Sequence, residues 1–191
     1  APPGSGKSVL AVDWIRATGR PAAWLSLDHL DNDPPRFFTH FAAALGAVNR
    51  PGFQEAAELA EKLARRGGDS SHALLPLLEE AAPEAVVVLD DLHTIETEPL
   101  LEFIEALMVQ VRGGPRRLFL TRTDPPIPLG RLRLSGGLLE IRQRDLRFTE
   151  EEAAELLRHS VPTELEAELV EGLHARTEGW AAGLRMAALA L

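Results

Sequence analysis

The 191-residue sequence contains no cysteine. That excludes a disulfide framework and any thiolate metal site, and it fits a reducing compartment such as the cytoplasm. Nor does any apolar run approach the roughly 20 residues that cross a bilayer. The final stretch "WAAGLRMAALAL" is short and carries Arg185. Excess positive charge is lacking too: the net charge of −9 argues against nucleic-acid binding by these residues alone, because such affinity rests largely on neutralising phosphates. The six histidines form no i, i+4 pair and no H-E-x-x-H, so no histidine metal site is expected. No Ser/His/Asp or Cys/His nucleophile pattern stands out. With 45% apolar and 26% charged residues, the chain is ordinary globular material, long enough for one core and a small accessory subdomain.

Lysine is scarce. Of 20 basic residues only Lys7 and Lys62 are lysine, and the first of them sits in the opening stretch "APPGSGKS". This matches the phosphate-binding pattern G-x-x-x-x-G-K-[ST] at every fixed position but the first, where Ala1 replaces glycine. Gly4 and Gly6 can take backbone angles closed to other residues, so that N–H groups from Gly4, Ser5, Gly6, Lys7, Ser8 and Val9 line an anion nest at the start of a helix. A compact ammonium fits such a loop where a planar guanidinium would not. Lys7 is the expected phosphate ligand and Ser8 the expected Mg2+ ligand. The following "SVLAVDWIR" reads as a helix buried on much of its surface. The sequence opens directly on the loop, so the strand that leads into such a loop is expected to be missing, and the gap to weaken ATP binding by these residues alone.

Further along, "PAAWLSL" (residues 21–27) reads as a buried strand, and "DPPRFFTHFAAAL" as a helix with Asp33 as N-cap and Pro34 at its first position. Two helical stretches follow, the first ending at Gly67 and Gly68, the second containing Pro76. "EAVVVLDD" is then a strand buried on both faces, at residues 85–89, which delivers Asp90 and Asp91 to its C-terminal end, where open α/β sheets bind ligands. A magnesium triphosphate needs one carboxylate for the metal's water shell, suiting Asp90, and hydrolysis needs another for the attacking water, suiting Asp91. "LFLT" is a further strand that brings Arg122 to the same edge, within reach of a γ-phosphate, and "GGLLEIR" is a last one. From there only helical signals occur, including a capping box of Thr149 and Glu152. Trp24 and Trp180 are expected in the core. The fold class is α/β: a P-loop NTPase three-layer sandwich with a parallel sheet at 1–147, followed by a small helical lid subdomain at 148–191.

The loop, "AAWLSLDHLDNDPPRFF", "VVVLDDLH", "LFLTRTDPPIPLGRLR", "LLEIRQRDLRFTEEEAAELL" and "RTEGWAAGLRMAALAL" together resemble the ATPase module of MalT-like, LuxR-type large transcriptional regulators, in the STAND class of P-loop ATPases (NB-ARC-like). The resemblance covers almost the whole chain, and alanine at the first loop position is usual in that family. It implies a switch in which ADP holds a closed monomer, inducer plus ATP opens it, the ATP form homo-oligomerises, and slow hydrolysis resets it. It implies Mg2+ as cofactor, a cytoplasmic location with no membrane partner, and DNA contact only through segments outside this sequence. Lys7 and Ser8 become the phosphate and metal residues, Asp90 and Asp91 the acidic pair, Arg122 the phosphate sensor. "GWAAGLRMA" falls where the wider class has a Gly-x-Pro turn; here Gly183 is followed two residues on by Arg185. The residues alone leave a second reading open, a P-loop kinase passing the γ-phosphate to a small molecule, with the arginines between Arg112 and Arg147 as its lid. A solvated face is the default reading of those arginines, and a ring around a triphosphate the sharper one.

Overall fold

The computed structural model describes residues 1–67, 71–160 and 165–191. The expected helix end at Gly68 lies outside them. The described chain forms two compact units, residues 1–10 with 139–191, and residues 11–138.

The larger unit is α/β. Its sheet has three parallel strands in the order β1-β2-β3: β1 (Ala22–Ser26), β2 (Val86–Asp90) and β3 (Arg116–Phe119). Ala22 lies opposite Val86 and Ser26 opposite Asp90, and β2 in turn aligns Val86 with Arg116 and Leu89 with Phe119. Every residue of β2 is buried, as a central parallel strand must be. Ala23, Leu25, Val87 and Leu89 point into the main core. There they meet α2 (Pro34–Gly46), α3 (Phe53–Arg65), α4 (Leu74–Glu80) and α5 (Glu98–Val109). At the heart of this layer Phe37, Phe38 and Phe41 of α2 pack against Phe103 of α5, with ring centroids 5.3 to 6.1 Å from Phe103.

Local chemistry explains the helix starts. The Asp33 carboxylate accepts the Arg36 N–H and Pro34 opens α2, as expected. Pro76 falls in the first turn of α4, where a missing N–H costs little, so it does not break the helix. A short helix α6 (Gly130–Leu134) carries no signal that the sequence reading recognised.

The smaller unit holds the opening loop and α7 (Glu150–Ser160), α8 (Ala167–Thr177) and α9 (Ala181–Leu189). Thr149 and Glu152 close the expected capping box: the Thr149 N–H donates to Glu152 Oε2 at 2.9 Å and the Glu152 N–H to Thr149 Oγ1 at 3.2 Å. Hydrogen bonds from its own backbone N–H, and then from the Thr149 hydroxyl, hold the Glu151 carboxyl below its ordinary range.

Three expectations need correction. "GGLLEIR" is not a strand: residues 138–142 join no ladder, and Leu139 and Ile141 are 87% and 52% exposed. An extended segment becomes a strand only with a hydrogen-bonding neighbour, and β3 takes none beyond β2. The helix after the loop, α1 (Lys7–Thr18), buries only Ala11, and Val9 is 64% exposed. Its apolar residues encircle the axis instead of forming one stripe, so a single packing partner cannot cover them. Trp24 is half-buried and Trp180 is 38% exposed, so neither is a core aromatic; each indole N–H needs a polar partner, which both find near the surface.

The aromatic cluster sets a stability test. Phe103→Ala should cost about 3 to 5 kcal/mol in urea unfolding through lost contacts and a residual cavity, whereas Leu134→Ala, at a 92% exposed position, should change stability by less than about 0.5 kcal/mol.

Candidate functional site

In the smaller unit the opening loop has the expected backbone. Gly4 and Gly6 take φ of +67° and +88°, values that β-carbons disfavour. The first helical bond of α1 runs from the Leu10 N–H to the Gly6 carbonyl at 2.8 Å. The N–H groups of Lys7, Ser8 and Val9 therefore precede that ladder and form the positive end of α1. Ser5 is buried, its hydroxyl donating to the Pro2 carbonyl at 2.9 Å. The Lys7 ammonium folds back onto the loop and donates to the Ala1 and Pro2 carbonyls at 2.8 and 2.9 Å. A β-carbon on Gly6 would meet nothing within 4 Å, so the loop is open there.

In the larger unit β2 ends at Asp90, whose side chain is buried. Its Oδ1 accepts the Asp91 N–H at 2.9 Å, and its carbonyl accepts the Leu27 N–H at 3.0 Å, tying it to the chain leaving β1. Asp91 takes the left-handed conformation, φ +55° and ψ +39°. That turn breaks the strand's direction and swings the Asp91 carboxylate out to a half-exposed position. There its Oδ1 lies 3.6 Å from His93 Nδ1 and 3.7 Å from Arg122 Nε. The structure thus brings Asp90, Asp91 and Arg122 together at one end of the sheet, with His93 beside them. An exposed pair at this distance contributes at most about 1 kcal/mol.

Sequence reasoning missed what holds this corner. Asn32 follows β1, and its side-chain amide donates to the His29 and Thr94 carbonyls at 3.1 and 2.7 Å. Its Oδ1 accepts the Glu96 and Thr97 N–H groups at 2.7 and 3.1 Å. One residue thereby clamps the chain leaving β1 to the chain following Asp91. Next to it Asp31, 1% exposed, accepts from the Asp28 N–H, Arg36 Nε and His40 Nδ1 at 2.9 to 3.1 Å. The signal was in "DHLDND": amid three carboxylates the amide of Asn32 both donates and accepts. Asp33 caps α2 as expected; Asn32 carried no expectation. Among the described residues no group of three or more His, Cys, Asp or Glu could hold a metal ion by itself.

No family model matches the chain. Individual relatives do. It is 34% identical over 204 residues to the serine/threonine-protein kinase PknK of Mycobacterium tuberculosis H37Rv, an alignment covering 100% of this chain and 18% of the relative. It is 30% identical over 193 residues to the HTH-type transcriptional regulator MalT of Vibrio cholerae, and 31% over the same length to MalT of Serratia proteamaculans. Those alignments take in 99% and 98% of this chain and 21% of each relative. The chain is similar throughout to one segment of MalT-type regulators. It spans about a fifth of the length of the curated relatives it matches. Two proteins with different names, regulator and kinase, thus share this stretch.

Removing the clamp tests its weight. Asn32→Ala should lower stability by about 2 to 4 kcal/mol, the loss of four hydrogen bonds, two of them part-buried with partners left unpaired; Asn32→Asp, which keeps the acceptor, should cost less in the same urea titration.

Proposed function

We propose that this chain is the ATP-binding and slowly hydrolysing switch module of a signal-responsive transcriptional activator, with the P-loop NTPase architecture of the STAND class. Residues 1–147 act as the nucleotide-binding domain and 148–191 as its helical lid. The observation that carries the reading is the loop: two left-handed glycines, then a lysine and a serine opening a helix, in a chain similar throughout to a segment of transcriptional regulators. ATP and ADP fit it because the helix start offers backbone N–H groups to phosphate, and the loop is open at Gly6.

Gly4, Ser5, Gly6 and Val9 give backbone donors to the phosphates. Lys7 exchanges its bonds to the Ala1 and Pro2 carbonyls for phosphate oxygens, a swap of neutral acceptors for charged ones that strengthens each bond. Ser8 and Asp90 are the residues that would offer oxygen ligands to Mg2+. Mg2+, when bound, offsets charge on the phosphate oxygens. Asp91 orients the attacking water and takes its proton as oxygen bonds to the γ-phosphorus and the bond to ADP breaks. Arg122 stabilises the charge that develops on the γ-phosphoryl oxygens. The nucleotide state then controls homo-oligomerisation, with inducer sensing and DNA contact in segments outside this sequence and the cytoplasm as the working compartment. No described helix is long and apolar enough to cross a membrane.

The small-molecule kinase reading has less behind it. PknK is named a kinase, yet the aligned stretch is under a fifth of it, and proteins named as regulators match over the same residues. The adjacent carboxylates Asp90 and Asp91 also suit water better than an acceptor. Consumption of ATP that depends on a second substrate would favour the kinase.

At millimolar Mg-ATP, Lys7→Ala should weaken binding at least tenfold while Lys62→Ala leaves it unchanged; equal effects in a calorimetric titration would refute the loop assignment. Asp91→Asn should slow phosphate release at least a hundredfold with little loss of ATP affinity, and Asp90→Asn should impair binding only when Mg2+ is present. Normal turnover by Asp91→Asn would remove Asp91 from the mechanism.

A further inference from the structure

Within the smaller unit the opening loop is tied to the start of α9 by contacts that the function so far does not use. The Trp180 indole Nε1–H donates to the Pro3 carbonyl at 3.0 Å, and the Ala182 N–H donates to the Gly4 carbonyl at 3.0 Å. Ala182 stands in the first turn of α9, where an N–H has no partner inside its own helix; the loop supplies one.

Three glycines make this contact possible. A β-carbon on Gly4 would come within 2.4 Å of the Ala182 β-carbon. One on Gly183 would meet the Trp180 ring at 2.9 Å, so the indole needs a bare backbone beneath it. At the turn before α9, Glu178 and Gly179 are both left-handed, φ +50° and +71°, and a β-carbon on Gly179 would strike the Phe148 carbonyl at 2.4 Å. That turn is pinned by the Phe148 N–H donating to the Gly179 carbonyl at 2.9 Å and by His174 Nε2, 2.8 Å from the Phe148 carbonyl. "EGWAAG" is therefore a built bracket whose free end is the Trp180 N–H.

A peptide plane fixes what this bracket does. Carbonyl and following N–H point in opposite directions across a trans peptide. With the Pro3 and Gly4 carbonyls turned toward α9, the N–H groups of Gly4 and Ser5 are turned away from it, which is the orientation an anion nest needs. We propose that Trp180 is a positioning residue of the phosphate loop: through Pro3 it presets the loop amides for a nucleotide phosphate, and nucleotide binding in turn tightens the hold on residues 178–183. The second half follows from linkage, since two events that favour one loop conformation favour each other. The proposal gives Gly183 a role, as the floor under the indole, in place of contact with a base. It rests on the phosphate-loop reading above.

The test uses the chain with Trp14→Phe and Trp24→Phe, leaving Trp180 as the single fluorophore. Without nucleotide, Gly4→Ala should red-shift its emission and raise acrylamide quenching, because the added β-carbon pushes α9 off the loop. Gly6→Ala strains the backbone in the same way but meets nothing within 4 Å, and should leave the emission unchanged. With Mg-ADP, quenching of Trp180 should fall on saturation. In the otherwise native chain Trp180→Phe, which keeps a ring over Gly183 and loses the donor, should raise the Mg-ADP dissociation constant about three- to tenfold. Unchanged emission on saturation together with parental affinity of Trp180→Phe would overturn the proposal while leaving nucleotide binding intact. If neither the parent chain nor one extended N-terminally by its native strand of about ten residues binds Mg-ADP, the phosphate-loop reading fails and the positioning role with it; the Gly4→Ala and Gly6→Ala pair then reports whether the bracket itself exists, and identical emission in the two would show that it does not.

Discussion

A strand buried on both faces has no water to satisfy its backbone, so every N–H and carbonyl of β2 must find a partner in the chain. This constraint organises residues 11–138. β1 and β3 lie parallel on either side of it. Parallel neighbours cannot be joined by tight turns, so the connections carry helices, and those helices bring the phenylalanines that cover the sheet. The same arrangement sends the C-terminal ends of all three strands in one direction. Asp90, Asp91 and Arg122 meet there because β2 stops being a strand at Asp91, where the left-handed backbone ends the ladder.

Two kinds of polar chemistry then finish what hydrophobic burial cannot specify. Burial decides that β2 lies inside; it does not decide the path of the chain after Asp91. Asn32 does, by giving both lone pairs and both amide hydrogens to two loops far apart in sequence. In residues 1–10 with 139–191 the corresponding device is the bracket at Trp180, where backbone carbonyls of the loop are the acceptors. In both places an irregular connection carrying candidate functional groups is held by directional bonds, which fix orientation as well as position.

Much of this was legible in the residues. Continuous apolar runs bounded by turn residues marked β1, β2 and β3 to within a residue or two, and Asp33-Pro34 and Thr149-x-x-Glu152 marked helix starts, because these signals act over a few residues. The acidic pair and Arg122 followed from strand ends. Elements that depend on distant partners were not legible. "GGLLEIR" has the composition of a strand and no ladder to join; the residues after the loop have the composition of a buried helix and little to bury against. Trp180 looked like core because its ring is apolar; its N–H decided its place instead. Asn32 hid among aspartates, since three of its four partners lie on Thr94, Glu96 and Thr97, which only the fold brings near.

The central claim is that the opening loop is a phosphate nest, and the amides of Gly4 to Val9 report on it directly. Hydrogen exchange of those amides should be measured with and without millimolar Mg-ADP, in chains carrying Lys7 or Lys7→Ala. The account predicts that exchange at Gly4, Ser5, Gly6, Lys7, Ser8 and Val9 slows at least tenfold with nucleotide in the native chain and not in Lys7→Ala. Exchange at these positions that is indifferent to Mg-ADP, or slowed equally in both chains, would contradict it.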